Sequence, residues 1–216
     1  YLDHADFQLV GGVAPRNHLS MGVIGPGTGL GVAGLVPVRG SAGRWQAVCG
    51  EGGHVTLAGA TDYQLAILKV ARQEGAHVSA ESLISGIGLP ALRRAVAIVD
   101  DIPAGGDLTA EDIGSLGASR RDRLAERTLE AFCSMLGCVA GNLALTMGAR
   151  GGVFIAGGIA AKILPAMQAG GFMAAFHDKG VHNRLAGNYP VNVVMEPRLG
   201  LLGTLQLAGR RGLAEA

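Results

Sequence analysis

Apolar positions change their spacing from segment to segment, and the spacing predicts the elements. Residues 20–24 and 31–36 are apolar and rich in Val, and the glycine run 25–30 separates them, which reads as two strands joined by a glycine loop, a hairpin signal. A third short strand is expected over 44–48, followed by a loop over 50–54. Thr61 is an N-cap candidate for a helix to about residue 73 that turns Leu65, Leu68 and Val70 toward a core and ends at Gly75. Ser79 is a second N-cap candidate, opening a helix through 85, and a third helix covers 90–99. Residues 100–119, rich in Gly, Asp, Pro and Ser, read as a connecting excursion in which Thr109 to Asp112 resemble the start of a capping box. A long helix follows over 122–147. Residues 152–156 form a short apolar strand that Gly157 and Gly158 turn into a helix over 160–167. Residues 191–195 are another buried strand, and a last helix starts at Leu199 and runs toward Arg210. Strands and helices alternate in the second half, so α/β layering is expected.

Composition narrows the classes. The chain has 216 residues, 49% hydrophobic against 16% charged, which excludes a disordered tail and allows one large domain or two small ones. Eighteen Lys and Arg against 17 Asp and Glu, with no long block of one sign, give no electrostatic footprint for nucleic acid or an anionic membrane. A small-molecule partner is expected. Cys49, Cys133 and Cys138 are odd in number and lack a C-x-x-C pair, so neither a disulfide framework nor a thiolate zinc site is indicated, and a reducing compartment fits. Residues 1–6 carry no basic or apolar leader pattern and no initiator Met, so the chain is expected to begin inside a longer gene product. Residues 131–149 hold no charged side chain and approach the length of a spanning helix. They also contain Ser134, Asn142, Thr146 and three glycines, and they continue the charged stretch 120–130, so a buried central helix is the expectation.

Glycine, 36 residues of 216, is the strongest compositional signal. Gly29, Gly31 and Gly34 satisfy G-x-G-x-x-G with Glu51 following 17 residues on, but that fingerprint must open a helix, and 31–38 is strand-like and interrupted by Pro37. Two readings stay open for the loop: a hairpin that cradles phosphate on backbone N–H groups, with the Thr28 hydroxyl as a further donor, or a tight hairpin without a ligand. Glu51 and His54 stand three apart with two glycines between them, which argues against the helix a metal-ligating E-x-x-H needs and suits a polyhydroxylated ligand better. Taken singly, Glu81 reads as a first-turn acid favoured by the dipole of a helix capped by Ser79.

The motifs GPGTGLG at 25–31, GEGGHV at 50–55, HVSAESLISG at 77–86, GNLAL at 141–145 with GGVFIAGGI at 151–159, GGFMAAFHDKG at 170–180 and PRLGLLG at 197–203 occur in this order. Together they resemble bacterial ATP-dependent glucokinase, the non-zinc hexokinase group of the actin-like sugar kinase/Hsp70 superfamily. The resemblance covers nearly the whole chain, with 100–121 the weakest part. A C-x-C-G zinc motif, usual in the related repressor/kinase family, is absent from the sequence. The resemblance implies an α/β fold: the actin-like (ribonuclease H-like) large domain, a mixed sheet flanked by helices, over 1–198. The N-terminal small domain is missing, and 199–216 form a helix that braces it.

It further implies the activity: transfer of the γ-phosphoryl of ATP to the 6-hydroxyl of D-glucose, with Mg²⁺, in a cytoplasmic homodimer. By motif, Glu51, His54 and Glu81 match sugar-hydroxyl ligands. Gly25, Gly27, Thr28 and Gly29 match the second phosphate loop, and Gly157 and Gly158 the adenosine-side turn. No residue matches a metal ligand. The family's catalytic base, an Asp in an Asn-Asp pair, and its first phosphate loop, Asp-x-Gly-Gly-Thr, have no counterpart in these 216 residues, and the surroundings of Asp3 and Asp6 do not match. A chain incapable of efficient turnover by itself is therefore expected. The alternatives are a non-catalytic sugar sensor that keeps the Glu51, His54 and Glu81 pocket, or a kinase for another hexose.

Overall fold

The computed structural model describes residues 6–13, 18–38, 40, 44–75, 77–169 and 171–212. Its strands β1 (Phe7–Gly11), β2 (Met21–Pro26), β3 (Leu30–Pro37), β4 (Trp45–Gly50), β5 (Gly152–Ile155) and β6 (Val191–Val194) form one mixed sheet in the order β1-β6-β5-β2-β3-β4. β2, β5 and β6 are mutually parallel at its centre, while β1, β3 and β4 pair antiparallel. β6 is buried throughout, as a parallel strand covered on both faces must be, and β4 is an exposed edge. The β2/β3 ladder runs from Met21↔Leu35 to Pro26↔Leu30, so the expected hairpin is present but its loop shrinks to residues 27–29. Gly25, Pro26 and Leu30 belong to strands because each still has a cross-strand partner.

The helices are α1 (Asp62–Glu74), α2 (Leu89–Val99), α3 (Ala110–Ala118), α4 (Arg123–Met147), α5 (Gly158–Lys162), α6 (Leu164–Gln168), α7 (Gly171–His177), α8 (Asn183–Ala186) and α9 (Leu199–Gly212). Side-chain caps start three of them. Thr61 accepts from the Gln64 N–H, Asp122 accepts from the Ala125 N–H, and Thr109 and Asp112 exchange the two bonds of a capping box. Those bonds hold the Asp112 carboxyl below its ordinary range.

Several expectations are corrected. Leu65 is 52% exposed, and α1 instead buries Gln64, Ile67 and Leu68, with Val70 packed at the margin. Gln64 tolerates burial because its amide donates to Ser134 Oγ and accepts from the Ala60 N–H. The helix expected after Ser79 is absent. Ser79 bridges Thr56, its hydroxyl accepts the Ser82 N–H as a cap would, and the Ile84 N–H closes one turn onto Ala80 O, but the Gly86 and Ile87 N–H groups donate to Gly27 and Thr28 instead of back along the chain, so no helix continues. The helix expected over 160–167 is split at Ile163, since Pro165 brings no N–H to continue α5 into α6. β1, α7 and α8 lie outside the elements expected from spacing.

The uncharged stretch lies mostly in α4, whose most apolar window is 67% buried inside the domain. Long and apolar enough to cross a bilayer, α4 is here the core helix, with α2, α3 and α7 against it. Its approach to the sheet runs over Gly22 and Gly34, a cross-strand pair beneath Leu143 and Met147. Phe132, Cys133, Met135 and Leu136 are all nearly inaccessible, and burial pushes the Cys133 thiol up to about 12, leaving it an inert packing group.

Candidate functional site

Three chain segments converge at the tip of the β2/β3 hairpin. The first is the tip itself, residues 27–29. The second is Glu51 with the 3-10 turn Gly52–His54, and the third is the turn-rich run from His77 to Gly88. Hydrogen bonds sew them together: Glu81 N–H to Gly53 O at 2.8 Å, Gly86 N–H to Gly27 O at 2.7 Å and Ile87 N–H to Thr28 O at 3.1 Å. Gly53 of GEGGH and Gly29 of the hairpin tip are packing requirements, whereas Gly50 has open space around it. A Cβ on Gly53 would collide with the Leu30 carbonyl, and one on Gly29 with the Glu81 carboxylate.

Glu81, taken singly a dipole-favoured helix acid, has a different environment. Its Oε2 accepts the Leu30 N–H at 2.7 Å, which holds the carboxylate, and its backbone carbonyl accepts the Ser85 hydroxyl at 2.7 Å, which holds the turn it hangs from. Its Oε1 lies 3.7 Å from His54 Nε2, which in turn lies 4.0 Å from Glu51 Oε2. The imidazole thus stands between two carboxylates that are 30 residues apart in the chain. Exposure differs sharply along the row: the Glu51 side chain is 90% exposed, His54 61% and Glu81 22%. The His77 ring nitrogen Nε2 lies 3.3 Å from the His54 carbonyl, which backs the turn. Such a row of strong acceptors on a glycine-lined surface is suited to several hydroxyls at once. Among the described residues, no group of three or more His, Cys, Asp and Glu is arranged to hold a metal ion.

On the other side of the tip lies a cleft of about 1010 Å³. Gly27, Thr28, Gly86 and Gly158 line it together with the apolar side chains of Leu89, Leu129, Phe132, Ile159 and Ile163, and α3 with its C-cap forms a further wall through Glu111, Ser115 and Ser119. Gly157, with φ of 96°, lets the turn after β5 press on the hairpin, and a Cβ there would lie 2.6 Å from the Pro26 carbonyl. Gly25, within β2, faces Ala156 of the same turn. The Gly27 N–H is taken by Gly29 O at 2.9 Å, whereas the N–H groups of Thr28 and Gly29 have no partner among the described residues. Of the six loop and turn residues, Gly27, Thr28 and Gly158 line the cleft, whereas Gly25 and Gly157 pack between β2 and the turn after β5 and Gly29 faces Glu81, with Glu51 and His54 on that side of the tip. Sequence reasoning did not reach the α3 wall, nor Lys162. The only signal for either was the Thr109 cap that starts α3.

The mixed sheet in the order β1-β6-β5-β2-β3-β4 with its flanking helices is the actin-like ATPase fold of solved glucokinases. A solved glucokinase from an Antarctic psychrotroph superposes with a TM-score of 0.85 at 35% identity, covering 94% of this chain and 62% of that one. The ROK family glucokinase of Streptomyces griseus, solved in complex with glucose and AMPPNP, shares the fold with a TM-score of 0.58 at 18% identity, over 89% of this chain and 61% of that one. The chain belongs to the glucokinase family, whose model matches residues 1–210. It is 42% identical over 193 residues to the glucokinase of Chromobacterium violaceum, covering 89% of this chain and 54% of that protein, so it spans little more than half the relative's length.

Proposed function

We propose that this chain supplies the sugar half-site and one wall of the nucleotide site of an ATP-dependent glucokinase, which transfers the γ-phosphoryl of ATP to the 6-hydroxyl of D-glucose. One observation carries the reading: Glu51, His54 and Glu81 gather on one side of a hairpin tip whose other side lines a nucleotide-sized cleft. Domain 1–198 carries both half-sites. Phosphoryl transfer between bound partners is mainly positioning and charge stabilisation, so the chain's task is to hold two ligands on either side of one thin wall.

In this reading Glu51 and Glu81 accept hydrogen bonds from sugar hydroxyls, and His54 fixes a third, leaving the 6-hydroxyl aimed past the tip. Glu81 is held before sugar arrives, by Leu30 and Ser85, so little ordering remains for it on binding. Glu51 is free to close over the ring. The unpaired N–H groups of Thr28 and Gly29, with the Thr28 hydroxyl, donate to phosphate oxygens. Gly25 and Gly27 shape that loop, and Gly157 and Gly158 admit the adenosine side. Mg²⁺ enters with ATP as part of the substrate. No base is assigned here, since the 216 residues contain no Asn-Asp dipeptide, and the isolated chain is expected to bind without sustained turnover.

The finer properties follow the same reading. α9, with Leu201 59% and Leu205 61% exposed, fits the role of a brace for a small domain. Free Cys49, Cys133 and Cys138 fit a cytoplasmic enzyme at the entry to glycolysis, and a homodimer is expected from the family. The sensor and other-hexose alternatives have no observation in their favour.

The test is an NMR titration of the chain with D-glucose to about 10 mM, the range of a millimolar site. A saturable shift at the 51–54 turn that disappears in Glu51→Gln is the expected result. Absence of any shift in the unmodified chain overturns the assignment of the sugar half-site to these residues.

A further inference from the structure

Among the described residues, two charged side chains line the cleft, one of each sign, and they hold each other. Lys162 closes α5 and Glu111 lies in the first turn of α3, on the facing wall, and Lys162 Nζ stands 2.8 Å from Glu111 Oε1. The other lining residues are apolar, glycine, serine or threonine. The side chains of Lys162 and Glu111 are 69% and 77% exposed, so water competes for both and the pair opens at little cost. Lys162 is also four residues beyond Gly158, hence on the same face of α5 as a residue that lines the cleft beside the hairpin tip. Its ammonium is a compact charge on a flexible stem, able to change partners without moving the helix.

On the nucleotide reading of the cleft, such a pair meets a polyanion and can exchange partners with it. Backbone N–H groups of the tip can donate to phosphate oxygens but carry no net charge. A nucleoside polyphosphate brings several negative charges against a lining whose cation is neutralised by Glu111. We propose that Lys162 is the cleft's phosphate-binding cation and that Glu111 is its exchangeable partner, displaced when a nucleoside polyphosphate binds. Lys162 then discriminates ligands by phosphate content, and Glu111 sets a threshold against weakly charged ones. Both act on binding; neither touches the sugar row of Glu51, His54 and Glu81.

The experiment is calorimetric titration of the chain with ADP and, separately, adenosine, for the unmodified protein and for Lys162→Gln, Lys162→Arg and Glu111→Gln, at about 50 mM salt where screening is modest. Both side chains are exposed, so the variants keep the fold. Lys162→Gln is expected to weaken ADP about threefold to tenfold, the range of a charge-assisted contact discounted for solvent exposure, while adenosine stays within about twofold. Lys162→Arg restores most of the ADP affinity. Glu111→Gln strengthens ADP about twofold to fivefold and leaves adenosine unchanged. Equal losses for ADP and adenosine in Lys162→Gln, or no loss for either, overturn the assignment while leaving the nucleotide cleft standing. If neither ligand binds the unmodified chain, the nucleotide reading of the cleft falls, and this inference falls with it.

Discussion

At the scale of single residues, Glu51 and Glu81 carry the same functional group in different physical situations. Glu81 Oε2 accepts the N–H of Leu30, a residue only 4% exposed, while Glu51 projects into solvent. Removing the Glu81 carboxylate strands a buried donor, and on the proposed function it also removes a sugar ligand. Glu81→Ala is therefore expected to lower unfolding free energy by about 1–3 kcal/mol in urea titration and to abolish the glucose shift. Glu51→Gln should stay within about 0.5 kcal/mol in the same titration and still lose the shift. Equal stability of the two variants would show that the Leu30 bond contributes nothing. Both glutamates were legible in the sequence as candidates through their motifs. The Leu30 bond was not, because it joins positions 51 residues apart.

Among elements, the packing of α4 decides the shape of the core. Gly137 and Gly141 lie one helical turn apart on its face toward α7, and a Cβ on Gly137 would run into the backbone carbonyl of Phe172. Backbone cannot yield as a flexible side chain can. Gly137→Ala should cost about 1–3 kcal/mol in chemical denaturation, as overpacking does. Gly114→Ala, on α3 where a Cβ would meet nothing within 4 Å, should instead stabilise by about 0.4–1 kcal/mol. Helix starts at Thr61, Thr109 and Asp122 could be read locally, since each cap is a bond between neighbours in the chain. The false helix after Ser79 had the same local signature, and its cap bond to Ser82 forms, but the Gly86 and Ile87 donors that would extend it found Gly27 and Thr28 instead.

For the molecule as a whole, stability should depend on pH through His177 on α7. Burial without a compensating charge pushes its imidazole pKa down, and its Nε2 is buried with no hydrogen-bond partner among the described residues. The unfolded chain then takes up the proton more readily than the folded one. The contribution is fully present above the unfolded value of about 6.5 and is lost as pH falls through the lower folded value. Thermal unfolding should therefore shift downward between about pH 7.5 and 5.5, and His177→Gln should flatten part of that slope. An unchanged slope in the variant would assign the acid sensitivity to other groups.

Local chemistry by itself determined strands β2 to β6, the capped helices and the glycine hairpin of this chain, together with the motifs that mark it as a sugar kinase relative. Periodicity and capping act between residues a few positions apart, so they survive in a linear reading. Only the tertiary structure decided which face of α1 is buried, where the hairpin loop ends, and that Glu81 hangs from a turn rather than a helix. It alone set α3 across the cleft from α5, so that Glu111 and Lys162, 51 residues apart, share one cleft. Contacts between distant segments depend on which surfaces pack, and packing is settled by the whole core at once.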